Sequence, residues 1–132
     1  MSKQDLPKPI KGAIFYEDKS LYACLANNPQ SKGHCVVVWK KHIKDIHSLK
    51  RKDFLHLMDI TGLVHNALLK LTKTKKVYMM YLDEIKHVHW HLIPRYQIAG
   101  YALLKTKSKK LKKQDLALAK KLKLELKQEL RK

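Results

Sequence analysis

Acidic residues are scarce in this chain. Its 132 residues include 11 Asp and Glu against 29 Lys and Arg, which leaves a formal charge of +18 at neutral pH. An imbalance of this size implies attraction to polyanions, whether nucleotides, nucleic acid, acidic proteins or anionic lipid, and does not choose among them. Cysteine is nearly absent. Cys24 and Cys35 lack the paired spacing of a metal or redox motif. With no secretory hydrophobic segment at the N-terminus, they read as free thiols in a reducing cytoplasm. No apolar run approaches the roughly 18 residues of a membrane span, and there is no internal repeat. What remains is one domain, long enough for a real core and with ordinary apolar content.

What the chain does have is histidine in an unusual arrangement. Residues 87–96 read His-Val-His-Trp-His-Leu-Ile-Pro-Arg-Tyr. Val88, Trp90, Leu92 and Ile93 favour a strand. On a strand His87, His89 and His91 share one face, about 6.5 Å apart, while Val88, Trp90 and Leu92 point to a core. Pro94 marks the strand end or an edge. The residues alone leave three readings open. One is a solvent-facing strand that happens to be rich in histidine. Another is a metal site, although no supporting ligand set is evident and in-line positions are wide for one ion. The third is a phosphate-handling strand, since imidazole near neutrality can attack, donate protons and hold anions.

The rest of the chain reads as an α+β domain. Residues 1–13, with Pro7, Pro9 and Gly12, form a loose arm. Residues 14–16 and 21–25 are a hairpin around a turn at 17–20. Residues 27–33 are a loop by composition. The apolar run at 34–39 predicts a central strand. Residues 50–72 predict a helix of about six turns. Phe54, Met58, Leu63, Val64, Ala67, Leu68 and Leu71 spread its apolar residues over more than one face, so part of it is expected to be covered by a second subunit. The alternative leaves Leu55, Ile60 and Leu69 as ordinary exposed residues. A strand at 77–82 and a tight turn at 83–86 lead antiparallel into the histidine strand at 87–94. Residues 97–106 give no clear pattern. Residues 109–130 predict a second helix with Ala119, Leu122, Leu126 and Leu130 on one stripe. A division into an arm (1–13), a main domain (14–106) and a Lys-rich C-terminal helix (107–132) follows. The last 28 residues carry 12 basic and three acidic residues, half the net charge in about a fifth of the chain. This is either a solvated helix face beside a docking stripe or an arm for an anionic partner. No aromatic residue follows Tyr101, so the tail itself offers no stacking platform for bases.

The histidine block resembles the signature of the histidine-triad (HIT) nucleotide hydrolases and transferases, His-φ-His-φ-His-φ-φ with φ apolar. A second block at 28–42 looks like that family's Pro-x-x-x-Gly-His segment, with Pro29, Gly33, His34, Lys40 and His42 in register and Trp39 in place of a usual proline. The resemblance runs over roughly residues 14–96. It implies a five-stranded antiparallel sheet with one long central helix and a C-terminal helix, and a homodimer through the helix at 50–72. It implies that His89 attacks the α-phosphorus of a purine nucleotide, such as a nucleoside phosphoramidate or a dinucleoside polyphosphate, to give a nucleotidyl-histidine. His91 would hold the α-phosphate, His87 would orient His89, and His34 would complete the phosphate wall. Phe15, Tyr22 and Leu25 are candidates for the base pocket. No cofactor and no metal are expected, and the Cys-x-x-Cys that builds a zinc site in some relatives is absent. Two positions depart from the family pattern. Ala26 stands where an Asp or Asn usually meets the ribose, so Asn27 or Asn28 would have to substitute. Asp83-Glu84-Ile85-Lys86 replaces a Gly-rich loop that holds the leaving group, which leaves Lys86 or Glu84 for that task.

Overall fold

The β-branched run at residues 35–39 forms the middle strand of a five-stranded sheet. A computed structural model describes residues 6–132. Its elements are β1 (Ile14–Glu17), β2 (Leu21–Leu25), β3 (Cys35–Trp39), α1 (Arg51–Thr72), β4 (Lys76–Met80), β5 (His89–Arg95), α2 (Gly100–Lys105) and α3 (Leu116–Leu130). The sheet order is β1-β2-β3-β5-β4, and every neighbouring pair is antiparallel. This is the α+β architecture that the sequence predicts.

Strand alternation gives the sheet two unlike faces. Leu21, Ala23 and Leu25 of β2, Cys35, Val37 and Trp39 of β3, and Val88 and Leu92 belong to one buried cluster with the helices. α1 contributes Leu57, Ile60, Val64, Ala67 and Leu68 to it, at the spacing of one helical stripe. α3 contributes Ala119, Leu122 and Leu126. The other face of the sheet carries the histidines.

Several elements differ from the sequence reading. Of the α1 residues that the alternative reading left exposed, Leu55 is exposed but Ile60 is buried in the stripe that faces the sheet, and Phe54 is exposed. Propensity fixes a helix, but docking against the sheet fixes which of its faces is inside. Strand β4 ends at Met80. Tyr81 leaves the sheet edge, accepts the Ile46 N–H on its hydroxyl at 2.8 Å and stacks near Trp90. The link to β5 is therefore a loop over residues 81–88, longer than the tight turn expected at 83–86. Residues 106–112, expected to be partly helical, run without helix to a 3-10 turn at Lys113–Asp115, and α3 starts only at Leu116. On the expected α3 stripe, Leu130 is exposed. The unclear stretch before that holds the short helix α2. In the expected arm, residues 1–5 lie outside the described residues, and residues 6–10 have no regular structure. No helix among the described residues is long and apolar enough to cross a membrane.

Candidate active site

Cross-strand register assembles the site. Tyr22 of β2 pairs with Val38 of β3, which pairs with His89 of β5. One step along, Cys24 pairs with Val36 and Val36 with His91. His34 lies on the same alternation as Val36 and Val38, just before β3, and its carbonyl accepts the Ala26 N–H at 2.9 Å. These residues, with Leu25, Ala26, Asn27 and Asn28, line a recess of about 180 Å³. Leu6, Pro7 and Pro9 of the arm also line it. The Asn27 Nδ2 amide holds the arm there by donating to the Lys8 carbonyl at 2.8 Å. Asn27 Oδ1 is buried without a hydrogen-bond partner among the described residues. An acceptor buried in this state is costly until a donor arrives.

Gly33 sets the entry of His34 into the sheet. Its φ of +92° lies in the region that side chains disfavour, and a Cβ there would come within 3.3 Å of Leu118, Pro94 and Thr72.

Hydrogen-bond partners assign the imidazole tautomers. The Gln30 N–H donates to His34 Nδ1 at 3.0 Å, so the His34 proton sits on Nε2. That Nε2–H donates to His91 Nδ1 at 2.9 Å, which leaves neutral His91 with its proton on Nε2. His89 Nδ1–H donates to the His87 carbonyl at 2.7 Å, which turns Nε2 toward the recess as the ring nitrogen open to a ligand. One ring thus offers a nucleophile and its neighbour a donor, with ring centroids 5.0 Å apart. Burial, reinforced by the His91 ring, pulls the His34 pKa down to about 3. Burial and the neighbouring His89 pull His91 down to about 4. Both are neutral near pH 7.

The structure gathers His34, His89, His91, Tyr22, Leu25, Asn27 and Asn28 around this recess. It does not place His87 or Phe15 there. The His87 ring turns behind the strand, where Nε2–H donates to the Trp39 carbonyl at 2.5 Å and the ring stacks on His42 at 4.3 Å. β5 begins only at His89 because its partner β3 ends opposite, at Trp39. His87 meets His89 through its backbone carbonyl instead. Phe15 is buried in the core and lines a different cavity with Lys123 and Leu126, because a register shift between Ile14 and Tyr16 falls at its position. Val36, Val38 and Cys24 were not singled out from sequence, although alternation from His34 puts the two valines on its face. The role of Gln30 is carried by its backbone N–H and leaves no side-chain signal. Among the described residues, no group of three or more His, Cys, Asp and Glu side chains is arranged to hold a metal ion.

Comparison with known proteins agrees with this geometry. The HIT domain family model matches residues 8–98. An uncharacterized HIT-like protein of Methanocaldococcus jannaschii is 30% identical over 96 residues, which cover 69% of this chain and 74% of that protein. A hypothetical histidine triad nucleotide-binding protein of Sulfolobus tokodaii superposes with a TM-score of 0.72 at 22% identity, over 88% of this chain and 84% of that one. The diadenosine triphosphate hydrolase of Plasmodium falciparum, solved with cyclomarin A, superposes with a TM-score of 0.64 at 20% identity, over 89% and 78% of the two chains. With a family model matched over most of its length, and that family's histidine strand forming the floor of the recess, this chain belongs to the histidine triad (HIT) family.

Proposed function

We propose that the protein is a nucleotide hydrolase or nucleotidyl transferase that works at the α-phosphate through a covalent histidine. The observation that carries this reading is His89 itself, its Nδ1 tied to the His87 carbonyl so that Nε2 has no protein partner, beside His91 in a recess with an apolar end. In the first step the His89 Nε2 lone pair forms a bond to phosphorus as the bond to the leaving group breaks. Non-bridging oxygens gather charge, and the His91 Nε2–H donates to one of them, its tautomer set by His34. The departing oxygen or nitrogen takes a proton from solvent or from a side chain of the 81–88 loop, where Glu84 and Lys86 lie exposed. In the second step water attacks phosphorus and loses a proton to solvent, the phosphorus–nitrogen bond breaks with its electron pair returning to His89 Nε2, and a nucleoside monophosphate leaves. Tyr22 contacts the base, taken to be a purine, while Leu25, a member of the core cluster, closes the end of the recess, and Asn27 Oδ1 accepts a ribose hydroxyl in place of the acid missing at Ala26. His87 acts as a positioning residue. A homodimer through α1 accounts for Phe54 and Leu55, both exposed on it. A reducing, cytoplasmic setting fits two free buried cysteines.

The test mixes purified protein with adenosine phosphoramidate, and separately with diadenosine polyphosphate, and follows release of nucleoside monophosphate. His89→Ala is expected to lower kcat by roughly three or more orders of magnitude. Equal rates for wild type and variant would sink the mechanism. The 81–88 loop motivates a second reading, a nucleotide-binding module with weak turnover. Nucleotide binding by calorimetry together with no trapped nucleotidyl-histidine adduct would select it.

A further inference from the structure

A second cavity, of about 550 Å³, lies one loop away from the histidine recess and shares no lining residue with it. Asn27 and Asn28 line the recess, whereas Pro29, Gln30, Ser31 and Lys32 line the second cavity. Five of its lining residues are Lys32, Lys107, Lys109, Lys110 and Lys112, all of them exposed. None of the five is ion-paired among the described residues. The one acid in the cavity wall, Asp115, is already engaged, accepting the Lys112 backbone N–H at 2.8 Å.

Four of the five lysines come from one strap, and Lys32 comes from the loop before β3. Residues 107–112 have no helix, and the Leu111 N–H donates to the Asn27 carbonyl at 2.8 Å while its side chain packs half-buried on the core. The Thr106 hydroxyl pins the start of the strap to the Leu103 carbonyl at 2.6 Å. The backbone is extended at both ends of the strap, at Thr106 and Lys112, and alternate residues of extended backbone lie about 6.5 Å apart, a spacing comparable with that of successive phosphates along an extended single strand. Unpaired cations around a concavity focus a positive potential into it. Tyr96 also lines the cavity, 44% exposed, its hydroxyl donating to the Lys32 carbonyl at 2.7 Å. The tail has no aromatic residue of its own, yet the fold brings one to its lysines. A concave, lysine-lined cleft with a single fixed aromatic suits a flexible phosphodiester chain with one base to stack. A lipid surface would call for a flat or convex face.

We propose that this cleft docks single-stranded nucleic acid through its phosphates and one stacked base. The site is separate from the chemistry at His89 and does not depend on it. The test is fluorescence anisotropy of the full chain with a labelled short oligoadenylate RNA across a salt series. Three to five phosphate contacts give a slope of log K against log salt on the order of −2 to −3.5. Lys107→Glu/Lys109→Glu/Lys110→Glu is expected to weaken binding at least tenfold. Lys120→Glu/Lys121→Glu/Lys127→Glu, an equal charge change on exposed positions of α3, is expected to weaken it less than threefold. Tyr96→Ala is expected to weaken it roughly fivefold or more, the share of a stacked base, and Tyr96→Phe to restore it. Equal weakening by the two triple variants would reduce the binding to bulk charge and overturn the site. So would tighter association with phosphatidylserine vesicles than with the RNA at the same salt. His89→Ala is expected to bind the RNA like wild type, so loss of turnover and loss of docking are read separately.

Discussion

His34 and His91 are buried imidazoles that stay neutral where a free histidine would begin to charge. Their pKa values of about 3 and about 4 arise chiefly from burial, with the adjacent ring adding repulsion in each case. An unfolded imidazole binds its proton below about pH 6.5. Between that value and the folded ones the unfolded chain holds more protons, so stability conferred by these rings is complete above about pH 6.5 and is lost as pH falls toward 4 and 3. An anion changes the balance, because a negative charge beside His91 favours its protonated form. Sulfate does not titrate in this range, which makes it a clean probe. Its affinity is expected to rise as pH falls from 7 to 5, with proton uptake measurable by calorimetry in two buffers of different ionisation enthalpy. His91→Gln should remove most of that uptake. A sulfate affinity independent of pH would contradict the placement of His91 at the phosphate. At this scale the site was partly legible. Alternation in residues 87–93 marks His89 and His91, and the Gly-His pair marks His34. The tautomers were not legible, because they depend on the Gln30 N–H and the His87 carbonyl, backbone groups that leave no side-chain signal in the sequence.

The β1–β2 hairpin shows what binds one element to another. Its turn is organised by Asp18, which accepts the N–H groups of Ser20 and Leu21 at 2.8 and 2.9 Å, the Tyr16 hydroxyl at 2.8 Å and His56 Nε2 of α1 at 2.7 Å. Burial alone would raise the carboxyl pKa, but these donors outweigh it and hold the pKa at about 2. Since that is below the unfolded value near 3.9, the stabilisation is present above about pH 4 and is lost as pH falls through about 2. Asp18→Ala is expected to cost on the order of 1–3 kcal/mol at pH 7, because it leaves turn amides and a hydroxyl without their acceptor. Chemical denaturation at pH 7 and pH 2 checks this, and the gap between variant and wild type should shrink at the lower pH. A gap of constant size would place the loss elsewhere. Elements were most legible where local pattern and tertiary role coincide, as in α1, expected at 50–72 and observed at 51–72. They were least legible at residues 106–112. The Lys-rich pattern there reads on into the helix that follows, but the chain must first run back past the loop at 27–32, and the Leu111–Asn27 backbone bond that holds it links positions 84 residues apart in sequence.

For the molecule as a whole, the question raised by a charge of +18 is how a terminal segment so rich in lysine stays docked. The answer lies in the division of α3 into two faces. Ala119, Leu122 and Leu126 are buried in the same cluster as α1 and the sheet, while Lys120, Lys121, Lys123 and Lys127 are exposed. Glu125 adds a contact to α1, accepting from Lys70 Nζ at 3.0 Å, but with the lysine largely exposed this pair contributes little. The apolar stripe must therefore carry the docking, against mutual repulsion among the lysines. Leu122→Ala removes a fully buried side chain and is expected to lower the unfolding free energy by about 2–5 kcal/mol. Lys120→Gln and Lys121→Gln should each change it by less than about 0.5 kcal/mol, or raise it slightly by relieving repulsion. Urea unfolding at low and moderate salt measures both. If α3 belongs to the cooperative core, Leu122→Ala shifts the midpoint and leaves the slope m unchanged. A silent Leu122→Ala, or an early separate transition, would show that α3 unfolds on its own. In that event the strap at 107–112 would lose the anchor that makes its lysines a cleft.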